Sequence, residues 1–206
     1  MIYELDSALT THFITALRDA ESDAPRFRQL VKLLTLLLAD DLFENGDLTD
    51  CDIDTWQGRQ RFACLDESNL LIVTVLRAGL PMLEALMEYF PQAQAGFLAI
   101  KRDETTHRAK LYFDRVPDCT GKHILLVDPM VATGGSLIDA MEVLKDRGAA
   151  RISSLNIIGA PEGLERVTKL YPDLDIHIAQ IDDHLNGDKY IIPGLGDAGD
   201  RAYNTL

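Results

Sequence analysis

Five short apolar runs, spaced by helix-like segments, constrain this chain more than any other feature of its sequence. They are "LLIVTVL" at 70–76, "AGFLAI" at 95–100, "HILLVD" at 123–128, "ISSLNIIG" at 152–159 and "LDIHIAQI" at 174–181. A strand exposed on one face alternates apolar with polar residues, whereas continuous apolar runs belong to strands covered on both faces, as in parallel sheets. The intervening segments carry the other half of the pattern. After residue 80, Leu83, Leu86, Met87 and Phe90 share one face of a helix entered at Pro81. From Ser136, Leu137, Met141 and Leu144 do the same until Gly148, and Leu164, Val167 and Leu170 follow Pro161. Strand and helix alternate, so the expected fold is α/β: a mainly parallel twisted sheet with helices on both faces.

The N-terminal region, about 1–45, reads as helical. In "RFRQLVKLLTLLLADDLF" the residues Phe27, Leu30, Val31, Leu34, Leu37 and Leu38 recur at intervals of three and four. Between it and the core sheet, about 70–182, lies a polar stretch with one short strand expected at 61–65. A C-terminal loop, about 183–206, completes what reads as one domain, a size that 206 residues with 47% hydrophobic content can support around a single core.

Charge narrows the partners. Thirty-three acidic residues against twenty basic ones give a formal net charge of −13, which repels nucleic acid and anionic lipid unless basic groups gather locally. Neither nucleic acid nor a membrane is therefore expected as a partner. Cys51, Cys64 and Cys119 fit neither a disulfide framework nor a zinc spacing, and the opening "MIYELDSALT" lacks the basic residues of a signal peptide. A cytoplasmic location is the expectation.

In an open parallel sheet, ligands bind beyond the carboxyl ends of the strands. Two such junctions carry chemistry: Arg77-Ala78-Gly79 after the first run, and "DPMVATGGS" after the third, comprising Asp128, Pro129, Met130, Val131, Ala132, Thr133, Gly134, Gly135 and Ser136. Glycines at a helix start let backbone N–H groups approach an anion, and Thr133 and Ser136 add hydroxyl donors. Gly135 stands where a P-loop places its lysine, so a single phosphate fits better than a nucleoside triphosphate. Asp128 can accept from sugar hydroxyls or reach the water shell of a metal. The alternative for the same residues is a turn with a helix cap, and for Arg77 a solvated strand end.

"GLGDAG" at 194–199 matches GxGxxG literally, but the chain ends at Leu206, before the helix and distant acid of a dinucleotide site. Its glycines read instead as a loop whose backbone groups suit the edge of a nucleobase. His107, His123, His177 and His184 show no metal-ligand spacing.

Taken together, "VLRAGLPM" at 75–82, "VDPMVATGGS" at 127–136, "APEG" at 160–163 and "YIIPGLGDAGDRAYNT" at 190–205 resemble the uracil phosphoribosyltransferase family. The resemblance covers residues 70–205 well and "FRQLVKLL" at 27–34 more faintly. It implies the type I phosphoribosyltransferase fold with a C-terminal hood over the base. The implied reaction converts uracil and 5-phosphoribosyl 1-diphosphate to UMP and diphosphate in pyrimidine salvage, with Mg2+ carried on the diphosphate and not held directly by protein ligands.

Residue by residue, the resemblance places the 5-phosphate on Thr133, Gly134, Gly135 and Ser136 and the phosphoribosyl group along the rest of 128–136. It places the diphosphate at Arg77 and Arg102, and uracil at Ile191, Gly196, Asp197 and Ala198. Arg77, Arg102 and Asp197 are the implied catalytic residues, Asp197 also approaching the phosphoribosyl substrate. A homodimer or larger homo-oligomer and a nucleotide effector such as GTP are further implications. Two segments depart from the family pattern. Lys101-Arg102-Asp103-Glu104 stands where Tyr-Arg-Asp-Pro is usual, and residues 40–69 match poorly. A nucleotide-sensing regulator of weak or no catalytic activity on the same scaffold is the competing reading.

Overall fold

The computed structural model describes residues 1–44, 46, 48–102 and 109–205, with the side chains of 101, 102 and 109–111 excluded. It opens with strand β1 (Ile2–Glu4) and helices α1 (Ala8–Arg18) and α2 (Ala24–Phe43), followed by a hairpin of β2 (Thr49–Thr55) and β3 (Gly58–Cys64). The repeating part is β4 (Leu70–Leu76), α3 (Leu80–Tyr89), β5 (Gln94–Arg102), β6 (Ala109–Arg115), β7 (His123–Val127), the two-residue β8 (Met130–Val131), α4 (Gly135–Asp146), β9 (Arg151–Gly159), α5 (Pro161–Leu170) and β10 (Asp175–Ile181). A small antiparallel pair, β11 (His184–Leu185) and β12 (Ile191–Ile192), and the short helix α6 (Ala198–Tyr203) close the chain.

The main sheet runs β1-β10-β9-β7-β4-β5-β6, parallel except for β6, which pairs antiparallel with β5. The continuous apolar runs are explained by cover on both faces. Leu70, Ile72, Leu125, Val127, Leu155 and Ile157 point into a core shared with α1, α2, α3 and α6. Leu71, Val73, Val75, Ile124 and Leu126 point the other way, onto Leu137, Met141, Leu144, Leu164 and Val167 of α4 and α5.

Three elements differ from the sequence expectation. The N-terminal region is not wholly helical, because Ile2, Tyr3 and Glu4 pair with Ile176, His177 and Ile178 at the sheet edge. The strand expected at 61–65 is half of a hairpin whose seven-residue partner, "TDCDIDT", carries no apolar run. "GLGDAG" does lead into a helix, though one of six residues.

Candidate active site at the switch between β4 and β7

β4 and β7 are neighbours, but the chain leaves β4 toward β5 on one side and β7 toward β9 on the other. Their carboxyl ends therefore border the crevice where the order of connections reverses, the position at which open α/β sheets bind ligands. Arg77-Ala78-Gly79 sits on one lip and residues 128–136 on the other. The peptide bonds Leu76–Arg77 and Ile192–Pro193 are cis. Gly79 is required by contact: a Cβ there would lie 2.4 Å from Thr74 Oγ1 and 2.7 Å from the Val127 carbonyl oxygen.

The second lip is held by backbone. Ile157 and Ile158 both donate to the Pro129 carbonyl at 3.0 Å, Ala160 donates to the Val131 carbonyl at 2.9 Å, and Met130 pairs in register with Ile158. Asn156 Nδ2 donates to the Asp128 carbonyl at 2.7 Å. Gly134 then turns the chain with φ +74°, as the N-cap residue of α4, and no side chain caps the helix. The first N–H groups of a twelve-residue helix are thus left for a ligand, with Thr133 and Ser136 beside them. Gly134 thus supplies both the turn and the N-cap through its backbone, and neither hydroxyl serves as the cap.

Asp128 is buried, and burial pushes its carboxyl up from 3.8 to about 7, offset in part by the hydrogen bond from the Met130 N–H. An acid whose folded pKa is raised gives its full stability contribution below its unfolded value. That contribution is lost as pH rises from there through about 7. Stability measured by denaturant between pH 4 and 8 is therefore expected to fall more steeply for the parent chain than for Asp128→Asn. Equal slopes would show that Asp128 titrates normally.

Arg77 is exposed and donates from Nη2 to Asp200 Oδ1 at 3.0 Å and from Nη1 to Thr205 Oγ1 at 3.1 Å. Hydrogen bonds from Thr205 and then Arg77 hold the Asp200 carboxyl below its usual range. Asp197 is the N-cap of α6, accepting from the Asp200 N–H at 2.9 Å. Ile191 and Ala198 are buried while Gly196 is exposed, so backbone groups are what this loop can offer a small planar ligand. The Arg102 side chain lies outside the described residues.

A cleft of about 860 Å³ joins some of these residues, though Thr133, Ile191, Gly196 and Ala198 are not in its wall. Arg77, Asp128, Met130, Ser136 and Asp197 line it with Ala78, Tyr112 and Gly199. Residues from four separate stretches of sequence thus face one space at the switch point.

The family model for uracil phosphoribosyltransferase matches residues 4–205. The chain belongs to the uracil phosphoribosyltransferase family. Among similar proteins of that name, one from Agathobacter rectalis is 40% identical over 98% of this chain and 97% of its own length. One from Staphylococcus aureus is 40% identical over 99% and 98%. A solved structure from Aquifex aeolicus, 37% identical, superposes with a TM-score of 0.95 over 100% of this chain and 99% of its own. A purine phosphoribosyltransferase structure from Pyrococcus horikoshii, 17% identical, shares the fold at a TM-score of 0.50 over 74% of this chain and 86% of that one. The fold is that of the type I phosphoribosyltransferases.

Within the family frame, "APEG" gains a role that its sequence did not disclose. A Cβ on Gly163 would lie 2.1 Å from the Ala132 carbonyl oxygen and 3.0 Å from the Gly134 nitrogen, so α5 packs directly against the 128–136 loop. Arg166, one turn on, donates to the Thr133 carbonyl at 3.1 Å. Glu162 accepts from the Leu185 N–H at 3.0 Å, which ties α5 to the C-terminal segment as well. That hydrogen bond is also the main reason the Glu162 carboxyl is held low. No local pattern signals these contacts, because Ala132 and Leu185 lie 31 residues before Gly163 and 23 residues after Glu162 in sequence.

Proposed function

We propose that this chain catalyses displacement of diphosphate from 5-phosphoribosyl 1-diphosphate by uracil, forming UMP. The observation that carries the reading is the single cleft that joins Arg77, Asp128, Ser136 and Asp197 in a member of this family. In the reaction the C1′–O bond to diphosphate breaks, the C1′–N1 bond to uracil forms, and the N1 proton passes to solvent or a base. Positive charge builds on the ribose ring as negative charge leaves with the diphosphate, so the site must neutralise one end and hold the base in line at the other.

The uncapped start of α4, with Thr133 and Ser136, suits the 5-phosphate. Asp128 accepts from ribose hydroxyls, and Arg77 turns from Asp200 to the diphosphate, with Arg102 as its assigned partner. The segment holding Ile191, Gly196, Asp197 and Ala198 receives uracil through backbone groups. The donor set suits a Mg2+ that enters with the substrate: Asp128 and Asp197 line the cleft, and their carboxyl groups, once ionised, would hold its water shell. Such an ion would supply charge neutralisation at the leaving diphosphate.

Purified protein incubated with radiolabelled uracil, 5-phosphoribosyl 1-diphosphate and Mg2+ should form UMP. A folded protein giving no UMP above blank would sink the reading. Ser136→Ala removes one donor to a charged phosphate, a loss of about 1.5–3 kcal/mol. The Michaelis constant for the phosphorylated sugar is expected to rise about ten- to hundredfold with that for uracil little changed. Steady-state kinetics in each substrate checks this.

We also infer a cytoplasmic homo-oligomer. The support for assembly is the β2–β3 hairpin, which presents Ile53, Phe62 and a 92% exposed Trp56 to solvent. Light scattering tests it. Among the described residues, no helix is long and apolar enough to cross a membrane.

A further inference from the structure

The C-terminal loop is gripped from the N-terminal helices by groups that the proposed chemistry does not use. Asp182, directly after β10, has a side chain that is 0% exposed, and the Arg18 side chain at the end of α1 is 20% exposed. Arg18 Nη2 and Nη1 meet Asp182 Oδ1 and Oδ2 at 2.5 and 3.0 Å, the two-point geometry that only a guanidinium supplies. The same two side chains then take both backbone groups of one residue. Arg18 Nη1 donates to the Gly194 carbonyl at 2.8 Å, and the Gly194 N–H donates to Asp182 Oδ2 at 2.9 Å.

Gly194 occupies φ +63°, and a Cβ on it would lie 2.1 Å from the Ile191 carbonyl oxygen. Its neighbours in sequence, Ile191 on one side and Gly196 to Ala198 on the other, are the segments assigned to the base. A second guanidinium runs in the reverse direction. Arg201 of α6 donates to the Leu17 and Asp19 carbonyls, both at 2.6 Å, and to the Leu195 carbonyl at 3.0 Å. The loop is therefore fastened to α1 at Gly194 and Leu195, between its two base-facing parts.

A buried ion pair gives little net stability against a well-packed apolar pair, so its value lies in what it fixes. Here it fixes both backbone polar groups of one residue, Gly194, and so the two peptide units that flank it. Recognition by backbone donors and acceptors has no side-chain rotamer to adjust, and it depends on where the backbone is held. We propose that Arg18 and Asp182 are positioning residues for the base, setting uracil affinity by clamping Gly194 without touching the reacting atoms. This rests on the reading of residues 191–198 as the uracil-binding segment. It makes the first helix a working part of the base site.

The test is a split between two Michaelis constants, measured on the full chain. Arg18→Met and Asp182→Asn are expected to raise the constant for uracil about tenfold or more while that for 5-phosphoribosyl 1-diphosphate stays within about twofold. Arg18→Lys keeps a positive charge beside the buried carboxylate and loses the fork. It should fold even if the other two do not, and should show the same split at smaller size. Circular dichroism establishes that each variant is folded. A parent chain that forms UMP, with folded variants whose two constants rise together or not at all, would overturn this proposal and leave the enzyme reading intact. A parent chain that forms no UMP would overturn both.

Discussion

Gly163→Ala is expected to abolish most of the activity although residue 163 lies outside the cleft. The added methyl would sit 2.1 Å from the Ala132 carbonyl oxygen and 3.0 Å from the Gly134 nitrogen, both backbone atoms with no rotamer to escape into. Either α5 lifts or the 128–136 loop moves. The loop is the weaker party: it hangs from β9 by the bonds at Pro129 and Val131, whereas α5 buries Leu164 and Val167 in the core. The approach is close from both sides, since a Cβ built on Gly134 (φ +74°) would in turn lie 2.8 Å from the Gly163 carbonyl oxygen. Overpacking of this kind costs about 1–3 kcal/mol in stability. For a chain of this size that lowers Tm by roughly 2–4 °C per kcal/mol. The kinetic effect should be larger, since a displacement of about 1 Å at a positioned group can cost about a hundredfold in rate. The expected result is a folded protein whose kcat/KM for the phosphorylated sugar falls about a hundredfold. Unchanged kinetics would mean that the loop and α5 are not coupled.

What was legible in the sequence follows from the range of the forces involved. β4, β7, β9 and β10 were readable because burial on both faces leaves a local mark, a continuous apolar run. β6, "AKLYFDR", and the hairpin strands "TDCDIDT" and "GRQRFAC" leave no such run. Tyr112, Phe113, Ile53 and Phe62 are exposed, so no core selected their neighbours. β1 is three residues long, and its partners lie about 174 positions away. The candidate site divides the same way. Asp128 and Arg77 directly follow strands and Ser136 lies in the first turn of α4, where the architecture itself directs attention. Glu162, Gly163, Arg18 and Asp182 meet backbone remote in sequence and Asp200 meets the Arg77 side chain, and in the sequence each reads as an ordinary acid, helix glycine or helix-end arginine. Asp197 was singled out from the sequence without its cap of α6, which, like its place in the cleft wall, only the folded chain shows.

The second large effect is expected at Arg77. Its side chain is 54% exposed and its bonds to Asp200 and Thr205 are solvent-accessible, so the fold does not depend on them. Arg77→Ala should leave Tm nearly unchanged. A diphosphate carries more charge than one carboxylate and accepts a guanidinium at two points, which lets it take Arg77 from Asp200. Loss of one donor to developing negative charge costs about 10²–10³-fold in kcat, and kcat/KM for 5-phosphoribosyl 1-diphosphate should fall accordingly. Arg77→Lys should recover only part, because a point charge replaces the planar fork. Asp200→Ala separates the two roles of this arginine. If Arg77 matters only as a tether for the C-terminal helix, removing Asp200 should cost as much as removing Arg77. If it serves the diphosphate, Asp200→Ala removes a competitor and leaves kcat/KM within a few-fold of the parent, while Arg77→Ala does not.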